Sequence, residues 1–163
     1  MTDLSRRQFL RGDFTAKQSA PSSPLRPPWA RAEAAFITAC TRCGDCVKRC
    51  PQRILTLDRA ARPTVDFSRG ECTFCAQCVD VCAPRALEKT DGMPPWRLKA
   101  QIRDNCMTQA NVVCHACGDA CPAQAIRFRL VATSIAQPEV SADLCTGCGA
   151  CQMPCPVQAI RIV

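Results

Sequence analysis

The sequence predicts an α+β protein of two tandem, look-alike units, each closed over two metal clusters, behind a disordered, basic N-terminal arm. Three observations carry this. Sixteen cysteines in 163 residues fall into four runs. The segments that lead into those runs repeat in pairs. Each run is followed by a short apolar stretch.

The first run is Cys40, Cys43, Cys46 and Cys50, closed by Pro51. Three thiolates spaced two residues apart wrap three irons of a [4Fe-4S] cube, and a fourth followed by proline turns away to ligate the other cluster of a two-cluster ferredoxin. Cys72, Cys75, Cys78 and Cys82 repeat the spacing with Pro84 one residue late, and Cys145, Cys148, Cys151 and Cys155 repeat it in full with Pro156. The remaining run is irregular. Seven residues separate Cys106 from Cys114, Cys117 and Cys121 follow, and Gln109 stands where the second ligand is expected. No odd thiol is left over. Zinc usually takes its ligands as two well-separated pairs, so it competes mainly at this third run.

Composition agrees with a metal-stapled protein. Units of about 60 residues seldom fold on apolar burial alone and need a staple. The formal charge of +7 invites a nucleic-acid reading. However, four thiolate-ligated clusters at roughly two negative charges each would offset it, and the chain has no Tyr to help stack bases. Nucleic acid is therefore excluded as a partner. Hydride-cofactor fingerprints, phosphate loops and paired nucleophile and base are missing too, so an enzyme is not expected.

In chain order, Ser5-Arg6-Arg7-Gln8-Phe9-Leu10-Arg11 opens like a twin-arginine export signal, but a charged stretch follows where an apolar core of about 7–15 residues is needed. No run approaches the roughly 18 apolar residues of a membrane helix. These features predict a cytoplasmic chain with no stable membrane insertion, where clustered cysteines mean metal. Residues 1–12 carry capping signals for two helical turns at most, and residues 17–28 read as an extended Pro/Ser linker. Residues 1–28 are thus the arm and linker, 29–92 the first dicluster unit and 93–163 the second.

The repeat sets those boundaries. Pro27-Pro28-Trp29 precedes a short helix over 30–39 that leads into Cys40, and Pro94-Pro95-Trp96 precedes the matching segment 97–105 that leads into Cys106. Pro63 to Phe67 leads into Cys72 as Pro138 to Ala142 leads into Cys145, so run three matches run one and run four matches run two. The apolar stretches after each fourth cysteine read as strands, with Ile126, Phe128 and Leu130 alternating with Arg127 and Arg129. Sequential exchange of the fourth ligand would group Cys40, Cys43, Cys46 with Cys82, and Cys72, Cys75, Cys78 with Cys50. In the second unit it would group Cys106, Cys114, Cys117 with Cys155, and Cys145, Cys148, Cys151 with Cys121. A nested pairing of run one with four and two with three is the alternative.

Gly44, Gly118, Gly147 and Gly149 are expected to adopt positive φ around the cubes. The prolines after the last cysteines are expected to start helices. His115, the only histidine, reads as a loop residue beside a cluster, and Trp29 and Trp96 as packing residues.

Taken together, the chain resembles the NapF family of ferredoxin-type accessory proteins of the periplasmic nitrate reductase system. The resemblance runs from Ser5-Arg6-Arg7 through Arg26-Pro27-Pro28-Trp29, Cys40-Thr41-Arg42-Cys43, Cys72-Thr73-Phe74-Cys75 and Ile126-Arg127-Phe128-Arg129. It continues to Cys145-Thr146-Gly147-Cys148-Gly149-Ala150-Cys151 and Cys155-Pro156-Val157. It implies a cytoplasmic protein with three [4Fe-4S] clusters in the regular runs; a fourth, at Cys106, Cys114, Cys117 and Cys121, is expected from the cysteine runs and not from the resemblance. It also implies binding of the precursor of the reductase's catalytic subunit and help with that subunit's cluster before export. Two other classes compete: a multi-cluster carrier passing single electrons from an unidentified donor to a redox enzyme, and a zinc-stabilised binding module.

Overall fold

The computed structural model describes residues 24–130 and 135–163. The arm's twin arginines and its two helical turns lie outside those residues. Secondary structure is sparse because the cysteine loops occupy most of the chain. Helices α1 (Glu33–Ala39), α2 (Asp45–Arg49), α3 (Gln77–Asp80) and α4 (Ala116–Asp119) are short. Strands β1 (Leu55–Leu57) and β2 (Pro63–Val65) form one hairpin. β4 (Ile126–Leu130) and β5 (Ala136–Val140) form its counterpart, and β3 (Ala100–Ile102) pairs antiparallel with β6 (Ile160–Ile162).

The two units share one plan. Each has a hairpin between its two cysteine runs and a second pairing that ties its beginning to its end. In the second unit that pairing is β3 with β6. In the first it shrinks to a single bridge between Ala30 and Leu87, because the chain enters α1 at Glu33, three residues further on. The lead-in segments therefore differ: 30–39 becomes the expected helix over Glu33–Ala39, whereas 97–105 becomes β3 and a turn. Leu98, Ala100 and Ile102 alternate with polar neighbours at period two and pack toward the core.

Three further expectations are corrected. Leu130, at the hairpin tip, is exposed although its register with Ile126 predicts burial. The prolines after the fourth cysteines sit in turns rather than at helix starts. The segment before Trp29 is not loose up to residue 28, since Leu25 accepts hydrogen bonds from Val65 N–H at 2.7 Å and Thr64 Oγ1 at 3.0 Å, and Pro27 and Pro28 are buried.

The core is thin and shared. Phe36, Ile54, Phe67 and Leu87 from the first unit and Ala125, Ile126 and Ile160 from the second belong to one buried cluster, together with cysteines of all four runs. At the seam the Trp29 N–H donates to Pro95 O, and the Trp96 ring meets Phe67 and Phe74 edge-on with centroids 5.8 and 5.5 Å apart. Such aromatic pairs add about 0.5–1.5 kcal/mol beyond their burial.

Candidate iron-sulfur sites

The cysteine loops use a local code that repeats along the chain. After each fourth cysteine, the residue three positions on donates its N–H back to the cysteine carbonyl: Arg53 to Cys50, Arg85 to Cys82, Gln124 to Cys121 and Gln158 to Cys155, at 2.9–3.2 Å. All four donors hold φ between 47° and 53°. At Cys82, Cys121 and Cys155 the chain is thereby reversed so that a following amide points at sulfur. Leu87 N–H reaches Cys82 Sγ at 3.3 Å, Ala125 N–H reaches Cys121 Sγ at 3.3 Å, and Ala159 N–H reaches Cys155 Sγ at 3.2 Å. An amide aimed at a thiolate stabilises its charge.

In the three regular runs, the residues on either side of the second cysteine are also left-handed: Arg42 and Gly44, Phe74 and Ala76, Gly147 and Gly149. Glycine is the low-cost residue there, yet Arg42, Phe74 and Ala76 adopt the same conformation, so the loop geometry overrides local preference. Gly118 departs from expectation. It lies inside α4 without positive φ, and its lack of a side chain makes room instead for Phe128, whose Cε2 would stand 2.5 Å from an added Cβ.

The fold collects the cysteines into four quartets, each lining its own cavity. Cys40, Cys43, Cys46 and Cys82 line one of about 350 Å³, and Cys72, Cys75, Cys78 and Cys50 another of the same volume. Cys106, Cys114, Cys117 and Cys155 share a third, again about 350 Å³, and Cys145, Cys148, Cys151 and Cys121 share a fourth, about 300 Å³. This is the sequential grouping, with every fourth cysteine delivered to the neighbouring run of its own unit; the nested grouping does not occur. These are the first, second, third and fourth quartets below.

The irregular third run is as well formed as the others. Its insertion folds into a 3-10 turn over Met107–Ala110, pinned by Thr108, whose hydroxyl is buried and donates to Gln137 Oε1 at 2.7 Å while lying 3.3 Å from Cys106 Sγ. Gln137 Nε2 returns a bond to Thr108 O at 2.8 Å. Gln109 is exposed, away from the cavity that its sequence position suggested. His115 is exposed and packs at a tilt against Phe128, ring centroids 4.3 Å apart and planes inclined at 57°. Nothing in the run's spacing signals the Thr108–Gln137 clamp, which joins residues 29 apart.

Exposure does not single out the third quartet either. Cys43 and Cys75 are exposed, whereas Cys114 is half-buried; the most sheltered is the fourth quartet, where Cys145, Cys148 and Cys151 are all buried.

These quartets suit a cluster and not a lone proton-bearing thiol. Burial, then the neighbouring Cys43 and Cys82, pushes the Cys46 thiol up to about 11, and burial pushes Cys78 and Cys151 up to about 12. Four crowded thiols cannot all ionise without a compensating cation, and ligation by iron supplies it while releasing their protons. Among the described residues no three Cys, His, Asp or Glu side chains close on a point suited to a single ion.

Paired cysteine quartets in two repeated units define an iron-sulfur protein of the dicluster ferredoxin class. The 4Fe-4S dicluster domain family matches the chain twice, over residues 39–86 and 112–159. The ferredoxin-type protein NapF of Escherichia coli K12 is 39% identical over 139 residues, covering 85% of this chain and 84% of that protein. NapF of Haemophilus influenzae is 44% identical over 153 residues, covering 90% and 86%. The ferredoxin-type protein NapG of E. coli K12 is 32% identical over 145 residues, covering 77% and 63%. The chain belongs to the NapF family of ferredoxin-type [4Fe-4S] proteins. Among the described residues no helix is long and apolar enough to cross a membrane.

Proposed function

We propose that each quartet ligates one [4Fe-4S] cluster, four in all, in two units spanning 29–92 and 93–163. We further propose that the protein is a cytoplasmic accessory factor of the periplasmic nitrate reductase system. It binds the precursor of the catalytic subunit and assists assembly of that subunit's iron-sulfur cluster before export. It acts through electrons or cluster material and not as an enzyme in its own right.

The observation that carries this reading is the match between the four quartet cavities and the family's dicluster frame. The groups that such cavities hold supply one-electron chemistry. The chain's part is to grip them with sixteen thiols, aim amides at the sulfurs and exclude water with the buried lining. The arm, residues 1–28, is proposed as a contact for the precursor.

The test is reconstitution. Precursor produced without this protein should lack its cluster and gain it when anaerobically purified, loaded protein is added; undiminished cluster content without the protein overturns the maturation role. A second reading, a plain electron carrier, is favoured by the direct contact between units at Cys72 and Cys148. It predicts electron transfer to a finished enzyme with no effect on the precursor.

A further inference from the structure

The order of the cysteine runs along the chain is not their order in space. Within each unit the two quartets are neighbours by construction: Cys46 and Cys50, four residues apart, serve different quartets, as do Cys78 and Cys82, Cys117 and Cys121, and Cys151 and Cys155. Between units the contact is selective. Cys72 N–H, in the second quartet, donates to Cys148 O, in the fourth, at 2.8 Å. A Cβ on Gly149 would run into the Phe67 ring of the first unit. None of the four cavities is lined by a residue of the other unit, so the contact between units is made by the cysteine loops of the second and fourth quartets.

We infer that the four sites form a single linear relay in the order first, second, fourth, third, with the inter-unit step carried where Cys72 meets Cys148. This rests on the proposed ligation of one cluster per quartet. The step moves one electron. The reduced site on one side of the seam returns to its oxidised level, the site on the other side gains the electron, and no proton or bond is exchanged. A low-potential one-electron reductant outside the chain supplies the electron. The irregular third site then occupies one terminus of the relay and the first site the other, so the protein has two electrical ends on different units. The fourth site, the most sheltered from solvent, is an interior link and not a docking point.

Loaded full-length chains that retain two chosen sites test this by electron paramagnetic resonance after dithionite reduction. Cys43→Ala and Cys46→Ala with Cys114→Ala and Cys117→Ala leave the second and fourth quartets. Cys75→Ala and Cys78→Ala with Cys148→Ala and Cys151→Ala leave the first and third. The first set should show spin-spin broadening and fast relaxation, and the second set the sharp spectra of isolated clusters. Coupling in the second set, or none in the first when iron and sulfide counts show both sites loaded, overturns the relay order.

The wild-type chain provides an arm free of substitutions. As reductant is added, coupling across the seam keeps broadening the spectrum beyond what two separate pairs produce; a spectrum that remains the sum of two pairs overturns the proposal. Wild-type protein without inorganic sulfide would instead refute the underlying ligation.

Discussion

Arg26 Nη1 donates to Asp58 Oδ2 at 2.8 Å, joining residues 32 apart across the first unit. The same guanidinium bonds Glu33 and Pro63 O and lies 4.9 Å above the Phe36 ring. One cation thus fastens the segment before Trp29 to α1 and to the turn of the first hairpin. Arg26→Ala should lower the unfolding free energy by about 1–3 kcal/mol, the range for losing charge-assisted bonds and leaving their partners unmet. Chemical denaturation of anaerobically loaded protein measures it.

The same network carries a pH signature. The Arg26 hydrogen bond holds the Glu33 carboxyl below its ordinary range. A carboxyl depressed in the folded state contributes stability above its unfolded pKa, near 4.3, and that contribution is lost as pH falls through the lower folded value. The gap in denaturation midpoint between wild type and Glu33→Gln should be open at neutral pH and close in acid. Acid loss of iron common to both chains cancels in the difference.

Gly44 and Gly149 occupy the same place after the second cysteine of their runs, and Ala76 stands there in the second run. Gly44 has open space around it, while Gly149 abuts Phe67. Gly44→Ala should cost only the left-handed φ, about 1–2 kcal/mol. Gly149→Ala adds an overpacking cost of roughly 1–3 kcal/mol and should loosen the seam between units. Comparing the two midpoints checks it, and equal effects would contradict the packing at Phe67.

Thr108 is the strut of the irregular run. Thr108→Val leaves the Gln137 amide oxygen without its donor, at a cost of about 1–3 kcal/mol, and should speed iron loss to a chelator from the second unit alone. Thr108→Ser keeps the hydroxyl and should restore the wild-type rate.

Ligand exchange makes a prediction opposite to that of each run holding a cluster with its own four cysteines. Cys82→Ala should empty the site of Cys40, Cys43 and Cys46, not that of Cys72, Cys75 and Cys78, because Cys82 lines the first cavity. Alkylation of exposed thiols followed by peptide mass mapping distinguishes the two. Cys50→Ala should give the reciprocal pattern.

Much of this molecule is legible from cysteine spacing because covalent geometry does the work. A thiolate three residues from the last reaches the next corner of a cube, and a fourth one turned away by a tight reversal reaches the neighbour. The hairpins are legible for a similar reason: Ile54 to Leu57 and Ala125 to Leu130 carry apolar runs directly after those reversals. Features that depend on distant residues were not legible. Within 97–105, Ala100–Ile102 became a strand because β6 lies alongside, and Gly118 is needed because Phe128 packs over it. Residues 25–28 are ordered by Arg26 finding carboxylates at Glu33 and Asp58. The contact of Cys72 with Cys148 had no signature in either run alone.

The crossed delivery of Cys50, Cys82, Cys121 and Cys155 has a consequence for durability. Under the proposed ligation each cube is closed by a sulfur on loan from the loop of its neighbour. Oxidative damage at one therefore loosens a strand of the other's enclosure, and the neighbour is lost faster than from an intact pair. Loading of a unit should for the same reason be cooperative, the second cube entering an enclosure that the first has already drawn together.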